Sequence, residues 1–476
     1  MSTPPYSPLH GLPALAGLAS FADAQKPGLS VEECVRRLKR YHYAFKRLHE
    51  IFLARLTAEP IYELKMAFSL HAHYCAEHTG ALRQRVGEMR EPPLGLDLVP
   101  DAELEIFFDE ILAAPCTDAL LWALYRKAVR HLSEALDDHL LDTNPLADAP
   151  TVRAAKFALL ELRELSDYGE RAIQALVKPE HTNQFGEWLD FLEECIRAAG
   201  GLDGTKERIP KSRRERWYSA QPFTYDRIPR RDERFPDPYN MGVNAEAFLY
   251  DPAQPAAPKV LMMFYKRLRE IDVPEMMASI ITETKGQPWG YYRDMTRQLW
   301  DEARHAMMGE AGFVSLGVDW KKVMVNFTWS LGLNTQLTPK ERHGVLYFIE
   351  QGLMPKNGKR FEFETAQAAG HPLSALFQDY DWADEVLHAR VGRDWYVAQF
   401  DNPKEAVEWG DRAWSKVLVG WRQWRDEGLT AHRNWWPDVY LDWCRAQGRA
   451  PEPGVLAFAE TYEAKRADLK AVSVSG

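Results

Sequence analysis

The chain is short of thiol chemistry. Its five cysteines, Cys34, Cys75, Cys116, Cys195 and Cys444, include no CxxC pair. An odd count at wide spacing argues against a disulfide framework and against a thiolate zinc site. Long apolar runs are also missing. No stretch approaches the roughly 18 uncharged apolar residues that cross a bilayer, so no membrane partner is expected. The opening MSTPPYSPLHGLPALAGLAS has no basic segment leading into a long apolar one, and does not read as a secretion signal. The cytoplasm is the expected compartment. Positive charge is not in excess either, the net charge being −10. Phosphate binding needs Lys and Arg gathered on at least one face, so nucleic acid is not the expected partner. No short-period repeat is present.

What remains is a globular composition, with 46% apolar and 27% charged residues among 476. At roughly 150 residues per domain this suggests two or three domains. Residues 1–30 are rich in Pro, Gly, Ala and Ser, an irregular arm. From there the pattern is helical. Val35, Leu38, Tyr41, Phe45, Leu48 and Phe52 recur at spacings of three and four, one face of a helix over 31–56. Further helices are expected at 60–90, 119–141, 151–176 and 184–199, making 31–200 one all-helical domain. Residues 201–258 form an extended connector, rich in prolines, aromatics and basic residues. A free linker is poor in aromatics, so this one is expected to lie on folded surface. Its basic run could meet an acidic partner, but interleaved Asp and Glu favour a solvated segment.

Helices return in 259–400, at 260–284 with a kink at Pro274, at 289–308, at 318–333, after a Thr338-Pro-Lys-Glu341 capping box, and at 373–398. The stretch 354–371 reads as a connection. A tail over 401–476, with helices at 403–427 and 453–469, carries Trp409, Trp414, Trp421, Trp424, Trp435, Trp436 and Trp443. Such density either covers a core or marks a binding face.

Two Glu-x-x-His words stand out, Glu302-Ala-Arg-His305 and Glu385-Val-Leu-His388. Residues three apart on a helix share a face, so each word can present a carboxylate and an imidazole to one ion. A two-metal site needs one further Glu from a neighbouring antiparallel helix for each word. Helical rise is ~1.5 Å per residue, so partners must be nearly equidistant from the turn that joins their helices. Counting back from the turn at Gly286 gives Glu270 as the partner of Glu302, with Glu275 nearer the turn. Each has a plain alternative. Glu270 could pair with Lys266, and Glu275 could close a capping box begun at Asp272. Glu350, a lone acid in LYFIEQGL, is the candidate partner of Glu385.

In this order, Glu270, Glu302/His305, Glu350 and Glu385/His388, the segment 260–400 resembles the ferritin-like di-iron carboxylate superfamily. REIDVPEMM followed by DEARH is similar to a bacterial ferritin-like subfamily that carries acids at both Glu270 and Glu275. The resemblance implies a ferritin-like four-helix bundle, with the N-terminal helical domain and C-terminal helices added to it. It implies two Fe ions bridged by Glu302 and Glu385, capped by His305 and His388, with Glu270 and Glu350 terminal. Carboxylate-rich sites with two imidazoles also suit Mn or a mixed Fe/Mn pair. The implied partners are dioxygen, a small organic substrate and an electron donor; the oligomeric state stays open. The alternative is a non-catalytic metal-binding protein or helical scaffold. Asp301 and Asp384 adjoin the ligand glutamates without a placed role. His71, His73, Glu77 and His78, with Glu63, either form a second metal site or a polar helix face.

Overall fold

The spacing of Val35, Leu38, Tyr41, Phe45, Leu48 and Phe52 produces one continuous helix, and all six side chains are buried along it. The same logic runs through the computed structural model, which describes residues 8–212, 214–354, 358–417 and 421–462. All regular elements among the described residues are helical. Two units divide the chain. The first holds Met1–Ile51 and His71–Thr224, and the second Phe52–Leu70 and Tyr225–Gly476.

The helices of the first part of the chain are α1 (Phe21–Ala24), α2 (Val31–Leu56), α3 (Tyr62–Met89), α4 (Ala102–Leu112), α5 (Thr117–Leu121), α6 (Arg130–Asp142), α7 (Ala149–Leu176) and α8 (Pro179–Ala198). A π-helical stretch, Trp122–Val129, joins α5 to α6, so the helix expected at 119–141 changes its winding midway. Helix α4 was not expected; Asp101 caps it by accepting from the N–H groups of Glu103 and Leu104. The first half of the basic connector is pinned within this unit. Arg208 pairs with Asp101 at 2.6 Å, Lys211 with Glu103 at 2.7 Å and Arg216 with Asp109 at 2.8 Å. The buried Glu110 carboxylate accepts the backbone N–H groups of Trp217, Tyr218 and Ser219.

The second part contributes α9 (Ala245–Leu249), α10 (Ala256–Arg269), α11 (Asp272–Glu283), α12 (Trp289–Ser315), α13 (Thr328–Gln336), α14 (Pro339–Gly352), α15 (Lys359–Ala368), α16 (Pro372–Trp395), α17 (Pro403–Val417), α18 (Trp421–Asp426), α19 (Trp436–Ala446) and α20 (Pro453–Leu456). Helices α10 and α11 pack on α12; α16 packs on α12 and α14; α11 packs on α14; α15 lies against α10 and α16. The core joins Phe264 and Leu268 of α10 with Ala303, Ala306 and Phe313 of α12 and with Trp435, Trp436 and Trp443 of the tail. Those three tryptophans are therefore core. The connector's second half is held here too, Phe235 against Trp320 and Arg234 paired with Glu63 at 2.6 Å.

Four expectations change in this unit. The helix of 260–284 does not kink at Pro274 but breaks at Glu270 and Ile271. Proline has no N–H for the carbonyl four residues earlier and its ring crowds that carbonyl, which here belongs to Glu270. Residues 318–333 are not one helix. A short 3-10 turn, Trp320–Lys322, and an extended stretch precede α13. Within the supposed connection 354–371 lies α15. The helix expected at 453–469 starts at Pro453 but α20 ends at Leu456, and 463–469 lie outside the described residues. The capping box forms as expected, with Thr338 and Glu341 each accepting from the other's backbone.

Candidate metal centre

Helix α12 presents Glu302 and His305 on one buried face, and α16 presents Glu385 and His388 on another. Glu350 comes from the last turn of α14 and Glu270 from the C-terminal end of α10. Their ligand atoms converge. One oxygen each of Glu302, Glu350 and Glu385 and a nitrogen of His388 lie within 4.8 Å of one another, as do atoms of Glu270, Glu302 and His305. Asp381 joins His305 and Glu385 in a third such group. Glu302, His305 and Glu385 each belong to two of the groups, so the three groups adjoin one another.

The imidazoles are held by the aspartates that precede the glutamates. His305 Nε2 lies 3.0 Å from Asp384 Oδ2, and His388 Nε2 lies 3.4 Å from Asp301 Oδ2. The two words, each Asp-Glu-x-x-His, thus exchange aspartates, each orienting the other helix's histidine. Arg304 spans both, at 2.6 Å from Asp301 and 2.7 Å from Asp384. Nε2 of each ring therefore faces an aspartate and Nδ1 turns inward. Both Nδ1 atoms, with Glu270 Oε2 and Glu385 Oε2, are buried without a well-formed hydrogen bond, the rings meeting only carboxylate oxygens at 3.1–3.5 Å. Buried polar atoms are rarely left so, and each such group calls for an explanation. Here they all face the same cluster. This donor set, carboxylates and imidazoles with no thiolate, suits Fe or Mn.

Charge accumulates accordingly. Burial, then the neighbouring Glu385 and Glu302 carboxylates, push Glu350 well above the usual range. Burial would lower His305, but hydrogen bonds to Asp384, Glu270 and Glu302 carry it up to about 10. Burial would raise Asp301, yet His388, Arg304 and Arg297 hold it well below the ordinary value. Lys359, at the start of α15, sends Nζ to 2.8 Å from both Asp381 Oδ1 and Glu385 Oε1. Arg267 reaches Glu270 at 2.9 Å and also pairs with Asp381.

Glu275 is not brought to this cluster. It is fully buried elsewhere, paired with Lys65 at 2.8 Å and with Arg231, and accepts from Ser330 at 2.8 Å. Nor is its alternative role as the end of a capping box seen, because Ile271, not Asp272, caps α11. The N-terminal histidines do not converge on a site among the described residues. His71 lies 2.8 Å from Tyr125 Oη, His78 lies 2.6 Å from Glu161, and Glu63 pairs with Arg234. The first unit has one convergence of its own, Cys34, His139 and Asp148. Arg85 and Thr143 already engage Asp148 there. Sequence reasoning missed Asp381, Lys359 and Arg267. Asp381 had a signal, standing one helical turn before Glu385 on the same face. Lys359 had none once its segment was taken for a loop.

No protein-family model, curated protein or solved structure matches the chain.

Proposed function

We propose that the second unit is a ferritin-like four-helix bundle holding a two-metal carboxylate centre, iron or manganese, and that the protein is a dioxygen-activating oxidase or oxygenase for a small organic substrate. One observation carries the reading: the inward Nδ1 atoms of His305 and His388 are buried and converge on carboxylate oxygens, which stand 3.1–3.5 Å away as their nearest polar neighbours. Glu302 and Glu385, shared between groups, would bridge the ions, with Glu270 and Glu350 as terminal ligands. Asp384 and Asp301 would keep a proton on each Nε2, so that an arriving ion would displace only the proton on Nδ1. The buried surroundings of Ala303 and Ala306 keep bulk water away, which protects reactive chemistry from side reactions. Held by these residues, a reduced metal pair would supply electrons for dioxygen reduction, and an external donor would restore them.

Lys359 and Arg267 favour a second reading. Both cations stand among the carboxylates, and a core neutralised this way can be a non-catalytic metal-binding or structural scaffold. Two measurements separate the cases. Protein from iron-replete cells is expected to hold about two Fe or Mn per chain, and Glu302→Ala or His388→Ala to lose most of it. Zinc alone, or no metal, removes the proposal. Rapid mixing of the reduced, loaded protein with dioxygen is then expected to give a transient visible absorption; no reaction over minutes selects the scaffold.

A further inference from the structure

We propose that the two metal positions are unequal, and that Lys359 makes them so by standing as a fixed third cation beside the His305 position. This rests on the two-metal reading. Lys359 is fully buried, and its Nζ lies 2.8 and 2.9 Å from the two Asp381 oxygens, 2.8 Å from Glu385 Oε1 and 3.9 Å from Glu270 Oε1. Asp381 therefore tethers the ammonium, which cannot swing out to water when an ion arrives. Arg267 adds a second cation on the same side, paired with Glu270 and Asp381. Asp381 supplies one extra negative charge there, against the two cations it holds.

The His388 position has different company. Its own terminal carboxylate, Glu350, accepts a hydrogen bond at 3.1 Å from the neutral amide of Gln298. So the first ion enters among Glu302, Glu350, Glu385 and His388. The second enters among Glu270, Glu302 and His305, against the repulsion of Lys359 and Arg267. At the effective dielectric of a protein interior, one uncompensated charge a few ångströms away weakens divalent binding by roughly tenfold or more. Unequal positions would let the site hold two different metals, or release one while keeping the other.

The test is a cobalt(II) titration of the metal-depleted full chain, followed by calorimetry and by visible absorption. The unaltered protein is expected to bind in two steps differing by about tenfold or more. Glu350→Gln is expected to lose the tighter step and Glu270→Gln the weaker. Lys359→Met is expected to draw the steps together by tightening the second. Thermal melting is recorded for each protein, and Lys359→Gln replaces the Met variant if the latter does not fold; steps as far apart as in the unaltered chain, in a folded Lys359 variant, overturn the role of Lys359. Equal affinities, or loss of the tighter step in Glu270→Gln, overturn the inequality and leave the two-metal reading standing. A chain that binds no cobalt overturns both.

Discussion

Glu270 and Glu275 have opposite surroundings, and the contrast separates a ligand from a structural acid. Glu270 turns an oxygen toward His305 Nδ1, 3.5 Å away, whereas both oxygens of Glu275 are engaged by Lys65, Arg231 and Ser330. Removing the charge of Glu275 leaves the buried Lys65 without its counter-charge and Arg231 with Asp272 alone, which costs roughly 3–5 kcal/mol. Glu275→Gln is therefore expected to lower the urea midpoint sharply while leaving metal stoichiometry unchanged, and Glu270→Gln to do the reverse. Metal loss in Glu275→Gln protein that remains folded would reject this assignment. The sequence could not choose between them, because both lie before the turn and each has a plain local role, Glu270 beside Lys266 and Glu275 in a capping box from Asp272. What decides is where Arg231 sits, a long-range pairing that no local pattern carries. The two Glu-x-x-His words and Glu350 were legible for the opposite reason. Acids isolated among apolar residues at helical spacing have few explanations besides a buried polar site.

Between elements, the approach of α12 to α10 sets the distance between Glu302 and Glu270. Glycines make that approach possible. A Cβ on Gly309 would stand 2.3 Å from the Leu268 backbone nitrogen and 2.6 Å from the Phe264 carbonyl oxygen, and one on Gly312 would meet the Phe264 ring at 2.4 Å. Both obstacles at Gly309 are backbone, so the helices themselves must separate. Overpacking of this kind costs about 1–3 kcal/mol. Gly309→Ala is expected to be destabilised by that amount in urea and to bind metal more weakly, since Glu302 and His305 ride on α12 and Glu270 on α10. Unaltered stability with unaltered metal content would show that the contact sets nothing. The helices themselves were mostly readable from the three-and-four spacing, as in α2, and from the capping box of α14. Their failures share a cause. Pro274 was given a kink within a helix when its missing N–H ended the helix four residues earlier. The apolar run Val323–Met324–Val325 resembles a helix in the sequence, yet it is extended, and all three residues are buried. Helix α15 was hidden by Gly358 and by its many charges, several of which prove to be buried.

On the scale of the folded chain, the first unit carries an acid sensitivity independent of any metal. Burial holds three histidines there, His42, His49 and His71, down to about 3. For His42 the nearby Arg83 and Lys46 add to the effect, and for His49 Lys46 does. Each is neutral when folded and takes a proton once unfolded, at an ordinary pKa of about 6.5. The unfolded state then binds more protons, so stability falls as the pH drops. The stabilisation from keeping these rings neutral is complete above about pH 6.5 and is lost progressively toward about pH 3. Carboxylates held low by ion pairs, such as Glu33 at about 2 beside Arg36, begin to contribute only below their unfolded value of about 4.5. Between about pH 6.5 and 4.5 the histidines therefore dominate this unit, each contributing up to about 1.4 kcal/mol per pH unit. Hydrogen exchange corrected for its intrinsic pH dependence, read in peptides covering 31–51 and 71–89, is expected to show protection falling through that window. His49→Gln is expected to flatten the slope by about one proton. Protection that stays level down to pH 4.5 would mean that these rings titrate normally in the folded unit, and that their burial is looser than the contacts of His71 with Tyr125 and Tyr168 imply.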